Sequence, residues 1–207
     1  MKSAISTAAC SRWIRTLAIV TMTMVTIGSA APSQAQQYAL DNSHTSLIFG
    51  VNHLGFSTVF GRFNTVEGQF QFNKSQPDQS QFSVSIDTTS LDTNSKQRDE
   101  HLSSPDFFDV KQFPKMTFVS KSITSKTDAE GKITLMVTGS MTLHGTTKEV
   151  TIPLQYNGEG TGPYGNYRCG FTTTFQIKRS EYGMKNMVPN IGDTIAVTFS
   201  FEGIQQK

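Results

Sequence analysis

Residues 171–178, FTTTFQIK, and 195–203, IAVTFSFEG, place apolar side chains at alternate positions: Phe171, Phe175 and Ile177 share one face with Thr173, and Ile195, Val197, Phe199 and Phe201 share another. A helix needs apolar residues three and four apart, so a sustained period of two reads as a half-buried β-strand. Both stretches are rich in Phe, Thr, Val and Ile, the residues that suit a pleated surface. Neither contains proline, and the second stops at Gly203.

The same alternation runs outward from this pair. Leu47, Phe49 and Val51 form one apolar row; Phe82, Val84 and Ile86 form a second; Met116 and Phe118 form a third. Ile133, Leu135 and Val137 continue to Met141 and Leu143, followed by Val150, Ile152 and Leu154. In the long segment 58–72, Phe63 is odd-numbered whereas Val66, Phe70 and Phe72 are even, so a bulge or sharp bend is expected near Asn64 and Thr65. Gly61 and Gly68 suit such bending. About eight strands result. Asp128 to Gly131, His144-Gly145 and the Gly-rich loop from Asn157 to Tyr167 supply turn chemistry between antiparallel neighbours.

Alternation stops between Asp92 and Pro114, where Ser104-Pro105 offers an N-cap followed by proline at the first helical position. A short helix or two is expected there. Eight antiparallel strands with one helical excursion fit a sandwich or a barrel. Closure removes the edges that such strands would otherwise expose, which favours an all-β, eight-stranded antiparallel barrel. Its interior is either filled by side chains or holds one small ligand.

The start of the chain reads as a leader. Lys2, Arg12 and Arg15 precede an apolar run from Thr16 to Ile27, and small residues follow, ending in Ser33-Gln34-Ala35. The run is too short for a spanning helix of about 20 residues. Cleavage after Ala35 is expected, leaving residues 36–207 as one domain in a periplasmic or secreted protein. The full chain of 207 residues carries 18 basic and 16 acidic groups; without the leader's three the balance becomes 15 against 16. Dispersed charge near neutrality excludes a nucleic-acid partner, which needs clustered cations. Charged residues at 16% with 36% hydrophobic residues exclude charge-driven disorder.

Cys10 falls in the leader, so Cys169 has no partner for an internal disulfide; its phase with Phe171 points it inward. His44, His53, His101 and His144 lack the close spacing of zinc ligands, so no metal is expected. His44 and His144 read as turn residues. There is no G-x-S-x-G elbow and no phosphate-cradling loop before a helix, so no catalytic residue and no cofactor is assigned. A small outer-membrane barrel shares the alternation. It should show aromatic girdles at the strand ends, whereas the Phe residues here lie mid-strand.

Four segments resemble the YceI-like polyisoprenoid-binding family: DNSHTSLIFGVNHLGFSTVFGRF (residues 41–63), RDEHLSSPDFFDVKQFPKMTF (98–118), GSMTLHGTTKEVTIPL (139–154) and RSEYGM (179–184). The resemblance spans residues 38–202. It implies a lipocalin-like barrel that encloses, carries or stores a long isoprenoid, an isoprenoid quinone or a related amphiphilic lipid, without catalysis. Transient membrane contact and a monomer or weak homodimer are expected.

A long apolar chain is held by removing its surface from water, at about 25 cal/mol per Å², so its walls must be aliphatic and aromatic. The inward rows supply Phe49, Val51, Val84, Ile86, Phe118, Leu135, Val137, Phe175, Ile177, Val197 and Phe199 as candidate walls. The same residue types also serve a filled core or an interaction module, and the family resemblance is what tips the reading toward an open cavity. At the mouth, His53, Arg98, Asp99 and His101 are candidates for orienting a head group, with Arg98 able to pair with a phosphate. The alternative is that Arg98 and Asp99 merely cap and orient the excursion.

Overall fold

The computed structural model describes residues 35–207. Its strands are β1 (Gln36–Leu40), β2 (Ser46–His53), β3 (Ser57–Phe63), β4 (Val66–Phe72), β5 (Gln81–Asp87), β6 (Leu91–Asp92), β7 (Lys115–Thr127), β8 (Ile133–Leu143), β9 (Thr146–Thr161), β10 (Tyr167–Lys178) and β11 (Ile191–Gln205). One helix, α1 (Lys96–Leu102), lies between β6 and β7. The expected leader falls on residues 1–35, of which all but Ala35 lie outside the described residues.

All pairings are antiparallel, and the order β1-β4-β5-β7-β8-β9-β10-β11 closes through β1 and β11 into an eight-stranded barrel. Eleven strands occupy eight positions because three are broken. β11 pairs with β2 along Ile195–Ser200 and with β1 at its end, where Leu40 faces Gly203. In the same way β3 and β4 share a position, as do β5 and β6.

Each break has a local cause. Asp41 and Asp87 accept from the backbone N–H groups of Ser43 and Thr89, two residues on, and so turn the chain out of the strand. The third break falls at Asn64–Thr65, where the phase of the apolar row changes. Asn42 ties two breaks together: its side chain donates to the Asn64 carbonyl and accepts from the Val66 N–H.

A short helix does lie between Asp92 and Pro114, but its expected start needs correction. The helix lies upstream of Ser104-Pro105 and starts after Ser95, whose carbonyl accepts from the Asp99 N–H, and the residues after Pro105 form hydrogen-bonded turns. The Ser104 hydroxyl does accept from the Asp106 N–H, but the chain then folds back through Phe108 N–H to Leu102 carbonyl and Val110 N–H to Ser103 carbonyl bonds. The alternating stretches leave out β1, where Tyr38 has only Ala39 and Leu40 as apolar neighbours. Yet Tyr38 is fully buried and closes the barrel.

The barrel's two ends differ. Toward the turns at 128–132 and 162–166 the interior is filled by Tyr38, Phe70, Phe72, Phe82, Ile123, Ile133, Leu135, Val137, Leu154, Cys169, Phe171 and Phe201. Phe171 is the hub: the rings of Phe70, Phe72, Phe82, Tyr156 and Phe201 lie 5.1–5.7 Å from its own. Such contacts add specific geometry to the area they bury. Cys169 is sealed in this plug, and burial pushes its thiol well above the usual range, leaving it inert.

Toward the opposite end the barrel widens. β9 and β10 pair only along Gln155–Thr161 and Tyr167–Thr172, then part. On that side Tyr182 and Met184 pack with Leu143 and Ile177, and Lys148 of β9 pairs with Glu181 at 3.0 Å. Across the gap between β6 and β7 lies the excursion, whose Phe108 ring meets Phe63 edge-on at 5.4 Å.

Candidate functional site: a lidded apolar cavity

The wide end holds a cavity of about 330 Å³, within the range for small-molecule sites. Its walls come from β2, β3, β5, β7, β8, β10 and β11, its cover from the excursion, and its far side from the 179–191 segment. A smaller apolar space of about 80 Å³ lies deeper, toward the plug, and the two share Leu47, Ile86, Phe118, Met141 and Phe175 as walls.

Of the eleven residues expected to form walls, Phe49, Val51, Ile86, Phe118, Phe175, Ile177 and Val197 line the larger cavity. Val84, Val137 and Phe199 line only the smaller space. Leu135 lines neither; it is fully buried in the plug. Alternation correctly put all of these residues inside. It could not say how far along each strand the filled half ends, because plug and cavity draw on the same residue types.

The expected mouth residues also divide. His53, Arg98 and His101 line the cavity; Asp99 does not. The Asp99 carboxylate accepts from the Thr93 N–H at 2.9 Å and from the Thr93 hydroxyl, tying α1 to the chain that leads into it. Arg98 does both jobs. Its Nε donates to the Thr93 hydroxyl at 2.8 Å and its Nη2 to the Thr93 carbonyl, while the side chain borders the cavity. The His101 ring meets Phe107 edge-on at 5.1 Å and its Nε2 lies 3.1 Å from Asp106 Oδ2.

Sequence reasoning missed Arg179. It is buried, lines the cavity, and donates from Nε to the Gly192 carbonyl, from Nη1 to that of Met184 and from Nη2 to that of Ile191, at 2.9–3.0 Å. Its guanidinium also sits 5.8 Å from the centre of the Phe107 ring. Burial lowers its pKa, with Asp193 opposing, yet a guanidinium remains charged at any physiological pH. With Arg98, it gives a mainly apolar wall two fixed positive charges.

Also missed were Leu102, Phe107 and Phe108 of the excursion and four methionines, Met116, Met141, Met184 and Met187, all on the cavity wall. The adjacent Phe107 and Phe108 in a non-alternating stretch were the available signal. Methionine adapts its shape to irregular apolar surfaces, so this wall can accommodate ligands of differing contour. Among the described residues, no group of three or more His, Cys, Asp or Glu side chains comes together as a metal site.

Known proteins share this architecture. A family model described as the YceI-like domain matches residues 38–203. A UPF0312 protein of Pseudomonas savastanoi pv. phaseolicola is 39% identical over 181 residues, covering 86% of this chain and 92% of the relative. Another, from Pseudomonas fluorescens, is 36% identical over 195 residues, covering 90% and 98%. Among solved structures, the Campylobacter jejuni YceI protein superposes with a TM-score of 0.65 at 26% identity, covering 75% of this chain and 90% of that one. Burkholderia cenocepacia BcnA gives 0.68 at 24%, covering 79% and 98%. A Saccharophagus degradans domain, described as polyisoprenoid-binding and implicated in plant cell wall breakdown, gives 0.65 at 16%, covering 82% and 98%. With the family model matching most of its length and relatives this similar across it, the chain belongs to the YceI-like family.

Proposed function

We propose that the protein binds a long-chain isoprenoid or related amphiphilic lipid, such as a polyprenyl compound or an isoprenoid quinone, and carries or stores it outside the cytoplasm. The observation that carries this reading is the lidded apolar cavity at one end of a barrel whose other end is plugged. A plug gives the cavity a floor, so a ligand enters and leaves at the wide end. Apolar walls hold the chain, and the deeper space admits its tip. Arg179, Arg98, His53 and His101 give a polar or anionic head group donors near the cover. Family membership and the polyisoprenoid-binding description of a structural neighbour support the ligand class.

The protein acts as a binding protein, in keeping with its family, and the cavity offers a ligand wall and charge. Export rests on the basic start, the apolar run and the small residues before Ala35. One experiment addresses both parts. The full chain is expressed, the soluble protein is purified without detergent, and native mass spectrometry is followed by solvent extraction. A polypeptide mass beginning at Gln36 with an added mass that extracts as a prenyl lipid is expected. An unprocessed chain overturns export, and a ligand-free protein that takes up no offered prenyl lipid overturns the carrier reading.

A further inference from the structure

Among the described residues eight large apolar side chains are exposed, and apart from Val119 on β7 and Tyr164 in the β9–β10 loop they fall in two adjoining segments. Phe56 is 88% exposed, Phe60 65%, Leu54 47%, Met187 47%, Ile48 41% and Val188 38%, and all six lie in the β2–β3 hairpin or the 185–190 loop. These two segments touch: the Leu54 N–H donates to the Asn190 carbonyl at 2.9 Å, and His53 pairs with Ile191. Leu54 and Phe56 flank Gly55 at the hairpin tip, where Leu54 and Gly55 both have positive φ. Phe60 and Ile48 continue the patch down the hairpin's outer face, with Phe60 lying against Gly50. A contiguous patch of this kind marks a contact surface.

The patch is continuous with the cavity. His53, Met187 and Ile191 line the cavity and belong to the same two segments. No carboxylate occurs in residues 46–63 or 183–192, whereas Arg62 and Lys185 lie within them. Arg62 faces Asp92 across the β3–β6 pair and Asp193 follows the loop, so the acids lie behind the tip; exposed apolar side chains at the tip itself, with Lys185 beside them and no carboxylate among them, match the interface of a bilayer that contains anionic lipid. We propose that the hairpin tip and the 185–190 loop dock on a lipid bilayer, with Phe56 and Leu54 entering the headgroup boundary and the cavity end facing the membrane.

The purpose of this contact rests on the lipid-carrier reading, since a cargo that resides in a bilayer transfers with little exposure to water when the mouth abuts it. The contact itself is testable without cargo. Soluble protein from the full-length gene is floated with vesicles of phosphatidylethanolamine and phosphatidylglycerol. The variant Leu54→Asp/Phe56→Asp puts charge on two tip side chains that lie outside the cavity wall, and aspartate tolerates the backbone at position 54. A control, Tyr164→Asp, alters a 91% exposed ring in the β9–β10 loop at the plugged end.

The expected result is flotation of the wild type and of Tyr164→Asp, with a vesicle-bound fraction at least tenfold lower for the double variant. Absence of wild-type flotation, equal flotation of the double variant, or equal loss in Tyr164→Asp overturns the proposal. So does a concentration-dependent dimer, seen by sedimentation, that the double variant dissolves without any vesicle binding in the wild type. Prenyl-lipid uptake from dilute ethanol solution, read by native mass spectrometry without vesicles, separates the two readings. Flotation without uptake leaves the contact and removes the carrier; uptake by both proteins without flotation does the reverse.

Discussion

The Phe49 ring occupies the space where a side chain on Gly61 would stand. The two residues face each other across the β2–β3 pair, and a Cβ at Gly61 would collide with the Phe49 ring and lie 2.8 Å from the Thr93 methyl. Glycine at this position lets an aromatic wall residue lie against its neighbouring strand and keeps the cavity beside it open. It also brings the start of the excursion close to the barrel.

Gly61→Ala should therefore push Phe49 into the cavity or lift Thr93 away. Overpacking of this kind costs about 1–3 kcal/mol. Urea unfolding should show a lower midpoint, and uptake of a prenyl probe should fall by more than the loss of folded protein explains. Unchanged uptake at full folding would mean that the ring has room to turn aside.

Leu135 and Ile177 separate plug from wall. Leu135 is fully buried in the packed half, so Leu135→Ala leaves a new void and should cost about 2–5 kcal/mol while the remaining folded protein still takes up ligand. Ile177 borders empty space and is only partly buried, so Ile177→Ala should cost less stability and weaken ligand retention more. Urea midpoints compared with retained lipid per folded molecule check the contrast. Equal ratios for both variants would place the ligand elsewhere.

How much of this was legible beforehand follows from the same residues. Alternation reveals which face of a strand points inward, so Phe49, Phe175 and Leu135 were all placed inside correctly and the eight-position barrel followed. It carries no information on depth, because Leu135 and Phe175 obey one pattern whether they meet packed rings or empty space. Arg179 was illegible for a different reason: its partners are backbone carbonyls at Met184, Ile191 and Gly192, which leave no side-chain signature. The Asp87–Thr89 turn and the Asn42 bridge join side chains to backbone groups, and since Asp and Asn take many such turns in loops and strands alike, the breaks went unread and the count of eight concealed eleven strands.

Thr173 breaks an apolar row between Phe171 and Phe175. Its hydroxyl is buried beside the smaller space with no hydrogen-bond partner among the described residues. A buried unpaired polar group costs about 1–3 kcal/mol relative to leaving it solvated. Thr173→Val keeps the shape and removes that cost, so the ligand-free protein should gain about 1 kcal/mol in denaturant unfolding. A loss instead would mean that trapped water satisfies the hydroxyl.

Asp41 makes stability depend on acidity. Hydrogen bonds from the Ser43 side chain and His44, followed by one from Arg168 at 2.7 Å, hold its carboxyl well below the usual carboxylate range, and Arg168 also reaches Glu202 at 2.8 Å. Asp87 and Asp193 are lowered in the same direction, the first by the Thr89 hydroxyl and the second by the Ser180 N–H and hydroxyl. A carboxyl depressed in the folded state stabilises fully above its unfolded value, about 3.9, and the gain is lost as pH falls toward the folded value. Denaturant midpoints should hold steady from pH 7 to about pH 5 and drop steeply below about pH 4. Asp41→Asn should lower the midpoint at pH 7 and flatten the acid limb; because Arg168 spans β10, β11 and the β1–β2 break, an unchanged acid limb in that variant would assign the sensitivity to Asp87 and Asp193 instead.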